Sequence, residues 1–192
     1  MKRLFIGIPI VSEKAVQLAE IWRNDQFLNQ TRMSWVKPDN WHITLFFLGD
    51  TPESAVDLLQ QMIDESFSRV ETSISGLSGV GVFPNSHNPK VLWLGLDNFE
   101  FLMPAYTVLR EMLTQNGFLF DNKPLKPHLS LARVRNQDHR TSFEPWLNEY
   151  RHLNFGPVTL NRVVLFESIL TPQGPVYKSL FVKELDNNSF RK

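Results

Sequence analysis

A histidine followed two positions later by a hydroxyl residue recurs three times, as His42/Thr44, His128/Ser130 and His139/Thr141. Imidazole titrates at about pH 6.5, so it gives or takes a proton near neutrality. A hydroxyl beside it donates a hydrogen bond to negative charge. Two such pairs are enough for acid–base chemistry in which one group removes a proton and the other supplies one. The short pattern alone is weak, since a chain with five histidines and many Ser and Thr produces it by chance. Context separates the copies: "HITLFFLG" and "HLSLAR" sit in apolar alternation, whereas "DHRTSF" lies in a polar segment and reads as a solvated loop.

Other chemistries are restricted by what the chain lacks. It has no cysteine, which removes thiol nucleophiles, disulfides and Cys-type zinc sites together. Two histidines without further carboxylate or histidine ligands at suitable spacing make a poor metal site, so neither a metal nor a cofactor is expected. Asp39 and Asp50 lie near the first motif, but turn or cap roles account for them equally well.

The elements that position the two good motifs have the period of strands, in which residues i and i+2 share a face. His42 and Thr44 project together, with Ile43 and Leu45 on the opposite side. His128 and Ser130 do the same against Leu129 and Leu131. By the same alternation Phe46 joins the His42/Thr44 face, as a candidate to stack on a base, although core packing is favoured for it.

Around the motifs the order of elements repeats. A strand over Leu4 to Ile8 and a helix over about Glu13 to Phe27, with Ser12 as N-cap, lead to the first motif. After Gly49-Asp50, Thr51-Pro52-Glu53 opens a helix to about Ser68, followed by short strands near Glu71 to Ser75 and Val80 to Phe83. A strand over Val91 to Leu96 and a helix from Phe101 to Asn116 then lead to the second motif. Past it, a loop enters a short helix, and strands near Arg162 to Glu167 and Val176 to Val182 flank the turn "TPQG". Ile6 precedes His42 by 36 positions, Leu94 precedes His128 by 34, and a Lys-Pro pair (Lys37-Pro38, Lys123-Pro124) sets its proline four residues before each histidine. This predicts one domain over 1–192 built of two pseudo-repeats, about 1–90 and 91–186, facing each other, with 187–192 as a frayed tail.

Composition narrows the class. The chain has 192 residues, 42% of them hydrophobic, with fifteen Phe and five Trp, ample for a core. Its formal net charge is zero, which argues against a general nucleic-acid coat protein and restricts any RNA contact to a local patch. The start "MKRLFIGIPI" reads as a first strand, and no apolar run approaches the roughly 20 residues of a membrane helix. A cytoplasmic monomer without membrane association is expected.

At this point a resemblance becomes specific. The blocks "RLFIGIPI", "WVKPDNWHITLFFLGD", "GVFPN…VLWLGL", "KPHLSLARV" and "ESILTPQGPVYKSL" resemble the two-histidine (2H) phosphoesterase superfamily, and within it the bacterial RNA 2′,3′-cyclic phosphodiesterases, also called 2′-5′ RNA ligases. Ser130 stands where Thr is commoner, which keeps the hydroxyl and loses a methyl. The resemblance implies an α+β fold of two pseudo-symmetric lobes, each a mainly antiparallel sheet with helices packed outside, facing across a central cleft. It implies RNA ends or nucleotides with a 2′,3′-cyclic phosphate as partners. It implies that His42 protonates the leaving 3′ oxygen and that His128 activates water, giving a 2′-phosphate, with 2′-5′ ligation as the reverse reaction. Thr44 and Ser130 are then the donors to the phosphate oxygens.

Arg133 stands at an odd offset from His128, so a regular strand aims it away from the phosphate. Arginine is common there in the resembled family, which suggests that a bulge or a strand end redirects it, and a phosphate contact and a structural ion pair both stay open. Lys123 to Arg135 holds four Lys and Arg and no acidic residue, either an entrance for RNA or a solvated edge. Core packing is favoured for Tyr177, and His87 and His152 read as surface residues. Two other activities remain: a 2′-5′ oligonucleotide phosphodiesterase, and a non-catalytic binder of RNA ends or nucleotides on the same fold.

Overall fold

The computed structural model describes residues 1–136, 142–172 and 174–187. In chain order the strands and helices are β1 (Lys2–Pro9), α1 (Glu13–Arg23), β2 (Arg32–Trp35), β3 (His42–Thr51), α2 (Val56–Ser66), β4 (Ser73–Phe83), β5 (Val91–Leu96), α3 (Met103–Gln115), β6 (His128–Asn136), α4 (Glu144–Tyr150), β7 (Asn154–Leu160), β8 (Arg162–Thr171) and β9 (Gly174–Glu184). The third His-x-Thr copy, His139/Thr141, and most of the tail expected from 187 onward lie outside the described residues.

Local chemistry sets the helix limits. The Ser12 side chain accepts from the Ala15 N–H at 3.2 Å, so α1 starts where expected. It stops at Arg23, four residues early, because the Asp25 carboxylate accepts from the Leu28 N–H at 2.8 Å and opens a separate turn. α2 buries Leu59, Met62 and Ile63, and α3 buries Ala105, Tyr106, Leu109 and Leu113, the three- and four-residue spacings of one apolar stripe. These stripes join Ile6, Ile8, Ile43, Leu45, Leu92, Leu94, Leu129 and Leu131 of the strands in a single core.

All pairings between the named strands are antiparallel, in the order β7-β4-β5-β6-β3-β1-β8-β9, with β2 added to β6. The order reads symmetrically outward from its middle. One lobe is β3, β1, β8 and β9; the other is β6, β5, β4 and β7. They meet where Ile43 pairs with Leu129. Beyond that point β6 takes β2 as its neighbour instead, with Trp35 opposite Ala132 and Ser34 opposite Arg133, so β3 and β6 part and leave a cleft.

The expected boundary near residue 90 divides the chain but not the sheet. β4, from the first half, pairs with β5 and β7, while β8 and β9 return to β1. The register also refines the repeat: Ile8 pairs with Ile43 and Leu94 with Leu129, so the matched positions are Ile8 and Leu94, each 34 residues before its histidine. The two short strands expected on either side of Leu77 are one strand, β4, continued through Gly79 at φ 64°. β2 and β7 were not legible. β2 has four residues, and β7 contains Gly156-Pro157, which an edge strand tolerates and a central one does not.

Candidate active site

His42 and His128 begin their strands and are held alike. His42 Nδ1 lies 2.7 Å from the Asn40 carbonyl, and His128 Nδ1 lies 2.6 Å from the Lys126 carbonyl. A carbonyl only accepts, so both Nδ1 atoms carry the proton and both Nε2 atoms are left for chemistry. Each acceptor is two residues before its histidine, and each motif's proline sits four before it, which is how the shared Lys-Pro spacing is spent. Aromatic rings fix the imidazoles further. Phe5 lies 4.7 Å and the edge-on Tyr177 5.2 Å from His42; Phe83 lies edge-on 4.9 Å from His128.

Antiparallel pairing of Ile43 with Leu129 carries their neighbours into register, so His42 and Thr44 share a face with Ser130 and His128. The buried Ile43 and Leu129 point the other way. A cavity of about 470 Å³ is bounded by His42, Thr44, Ser130, Arg133 and Tyr177, among others.

Burial pushes both imidazoles below the usual histidine range. At His42 the hydrogen bond to Asn40 opposes this, and the nearby His128 and Arg133 charges add to it. At His128 the Lys126 carbonyl opposes it and the Lys126 ammonium adds to it. That ammonium sits over the rings of Trp93 and Phe83, at 4.6 and 5.2 Å.

Two matching bulges decide what else reaches the cleft. Thr44 pairs with Gly7 and Phe46 with Ile6, so Leu45 is an extra residue in β3. Ser130 pairs with Trp93 and Ala132 with Leu92, so Leu131 is the extra residue in β6. Each bulge reverses the alternation after it. Arg133 is thereby turned onto the cleft face, where it lines the cavity with no carboxylate ion-paired to it among the described residues.

The same device decides Phe46 for the core, the favoured of its two roles, and against substrate binding. It points into the core, 2% exposed, stacked on Tyr106 at 4.6 Å and met edge-on by Phe120. Its neighbour Phe47 takes the opposite face of β3, where it pairs with Phe5 and lies under the Arg3 guanidinium at 4.9 Å. Strict alternation hid Phe47; a run of apolar residues longer than period two allows is the signal of such a bulge. Tyr177, favoured as core, is half-buried and lines the cavity, its hydroxyl held above the usual tyrosine range by burial and drawn back by Arg133 and Arg3. Among the described residues no group of three or more His, Asp or Glu is placed to hold a metal ion.

A model of the family described as LigT like Phosphoesterase matches residues 8–93 and 102–177. The chain belongs to this family. Two relatives named RNA 2′,3′-cyclic phosphodiesterase support the assignment over almost the whole length. The one from Thermotoga maritima is 30% identical over 191 residues, 98% of each chain. The one from Archaeoglobus fulgidus is 35% identical over 183 residues, 95% of this chain and 99% of that one. Among solved structures, TT0787 of Thermus thermophilus superposes with a TM-score of 0.78 at 26% identity, covering 97% of this chain and 99% of that one. Escherichia coli LigT complexed with 3′-AMP gives 0.74 at 22% identity, covering 96% and 98%, a likeness of fold. The two-lobed α+β architecture expected of this LigT-like chain is therefore the family's.

Proposed function

We propose that this LigT-like chain hydrolyses the 2′,3′-cyclic phosphate of RNA ends or nucleotides to a 2′-phosphate. The observation that carries the reading is the pair of histidines on one cleft face, each with Nδ1 tied to the carbonyl two residues back and Nε2 free. The names of the Thermotoga and Archaeoglobus relatives supply the substrate class.

In this reading water attacks phosphorus while the P–O3′ bond breaks. His128 Nε2 takes the proton of the water, and His42 gives one to O3′, the assignment the family resemblance implies. Both imidazoles are biased towards the neutral form, which suits the base. The acid regains its proton when an anionic phosphate sits beside it and favours the imidazolium. Thr44 and Ser130 donate to the non-bridging oxygens, and Arg133 faces their charge. With a 5′-hydroxyl in place of water, the same attack breaks the same P–O3′ bond, His42 again protonates O3′, and the product is a 2′-5′ linkage. Both histidines come from one chain, so a monomer is complete, and RNA ends as substrate are compatible with a cytoplasmic enzyme.

The deciding experiment incubates the protein with an oligoribonucleotide ending in a 2′,3′-cyclic phosphate, in EDTA, and identifies the product. A 2′-phosphate is expected. No turnover, or a 3′-phosphate product, overturns the proposal.

A further inference from the structure

The cavity lined by His42, Thr44 and Ser130 continues past Arg133. Lys37, which follows β2, and Arg135 of β6 line that extension, together with Ser34 and Trp35. Arg133 and Arg135 alternate with the buried Ala132 and Val134, and both are exposed, so they leave β6 on the same face. Arg135 is itself the extra residue of a bulge, since Met33 pairs with Val134 and Arg32 with Asn136. Bulges re-aim side chains.

Spacing and charge select the ligand. Two residues along a strand span ~6.6 Å, close to the distance between successive phosphates of an extended RNA strand. Lys37 and Arg135 make no ion pair among the described residues, and their side of the cavity carries two cations against the single carboxylate of Asp39.

We propose that Lys37 and Arg135 form a second phosphate subsite, which holds the 5′ phosphodiester of the nucleotide that carries the cyclic end. The proposal rests on the function given above and names its substrate class more closely: an RNA 3′ end of two or more nucleotides, rather than a free cyclic mononucleotide. A cyclic mononucleotide fills only the reaction centre at His42, His128, Thr44, Ser130 and Arg133. A dinucleotide places its internal phosphate one step further, where Arg135 and Lys37 stand.

The test compares kcat/KM for a dinucleotide ending in a 2′,3′-cyclic phosphate, the cyclic mononucleotide, and that mononucleotide bearing a 5′-phosphate. The dinucleotide and the 5′-phosphorylated mononucleotide are expected to exceed the plain mononucleotide by about ten-fold or more, mostly through KM. In Lys37→Gln/Arg135→Gln that advantage falls to within about two-fold. Equal kcat/KM for all three in the wild type overturns the subsite, as does an equal loss on all three in the variant. Turnover of none of them defeats the function and leaves the subsite to a binding measurement. There the wild type is expected to hold a dinucleotide 2′-phosphate about ten-fold tighter than a mononucleotide 2′-phosphate, the double variant no tighter, and equal wild-type affinities overturn the subsite.

Discussion

Ile43 lies directly opposite Leu129, and this one pair joins the central strands of the two lobes. Each residue follows a motif histidine, and each is fully buried. The bridge therefore fixes the two imidazoles relative to each other through the core rather than through contacts in the cleft. Removing either ring leaves that bridge intact. His42→Ala and His128→Ala are expected to keep the thermal midpoint within a few degrees and to lose roughly 10²–10⁴-fold in kcat on a 2′,3′-cyclic end. The double variant is expected to be little worse than either single one, because the two act as a unit. Steady-state kinetics beside a melting curve checks this, and near-normal kcat in either single variant contradicts it.

The pH dependence follows from burial. Both imidazoles have folded pKa values below the unfolded one of about 6.5. Between the folded and unfolded values the unfolded chain binds more protons. Stability is thus fully present above about pH 6.5 and falls as pH drops through that window towards the folded values. Replacing both histidines by Gln is expected to flatten this part of the curve, measured as melting temperature against pH. Lys126→Gln removes the ammonium that disfavours the His128 imidazolium, so the acid limb of kcat/KM is expected to move to higher pH. A shift to lower pH opposes the account, and Lys126→Arg is expected to restore the wild-type profile.

The chemistry of the site was legible because it lies in residue types: two histidines, two hydroxyls and the Lys-Pro spacing are visible without coordinates. The lobes were legible only as a repeat along the chain. Which lobe receives β4 or the β8–β9 pair depends on strand pairing over long separations, and local alternation does not encode that. The bulges at Leu45 and Leu131 were the other hidden feature, since one inserted residue leaves composition unchanged and reverses the side chains that follow it. For Arg133 the family resemblance predicts a bulge or a strand end, and the bulge is present. For Phe46 the same geometry excludes the substrate contact and leaves the core role.

Phe46 provides a direct check of the β3 bulge. Stacked on Tyr106 inside the core, it contributes packing and no substrate contact. Phe46→Leu is expected to cost about 1–3 kcal/mol of stability while kcat/KM on a cyclic end stays within about two-fold below the melting range. Phe47→Leu, on the opposite face of β3 and 41% exposed, is expected to leave stability nearly unchanged. A Phe46 variant with normal stability and lost affinity for substrate restores the regular-strand picture.

Gly7 marks where the two lobes must differ. It faces Thr44 across β1 and β3, at the position that Trp93 occupies opposite Ser130 in the other lobe. A Cβ at Gly7 lies 2.8 Å from the Ile43 carbonyl oxygen and 3.4 Å from Cδ2 of His42. The carbonyl belongs to the residue between His42 and Thr44, so relieving the clash moves the backbone that aims both side chains. A shift of about 1 Å in a positioned group costs on the order of 10²-fold in rate. Gly7→Ala is accordingly expected to lower kcat by about ten-fold or more and to broaden or shift the His42 imidazole resonance in NMR. The deeply buried Ile6 and Ile8 on either side hold the strand, so the melting temperature is expected to fall by only a few degrees. Wild-type kcat with an unchanged His42 signal refutes the idea that the missing side chain at this position keeps His42 in place.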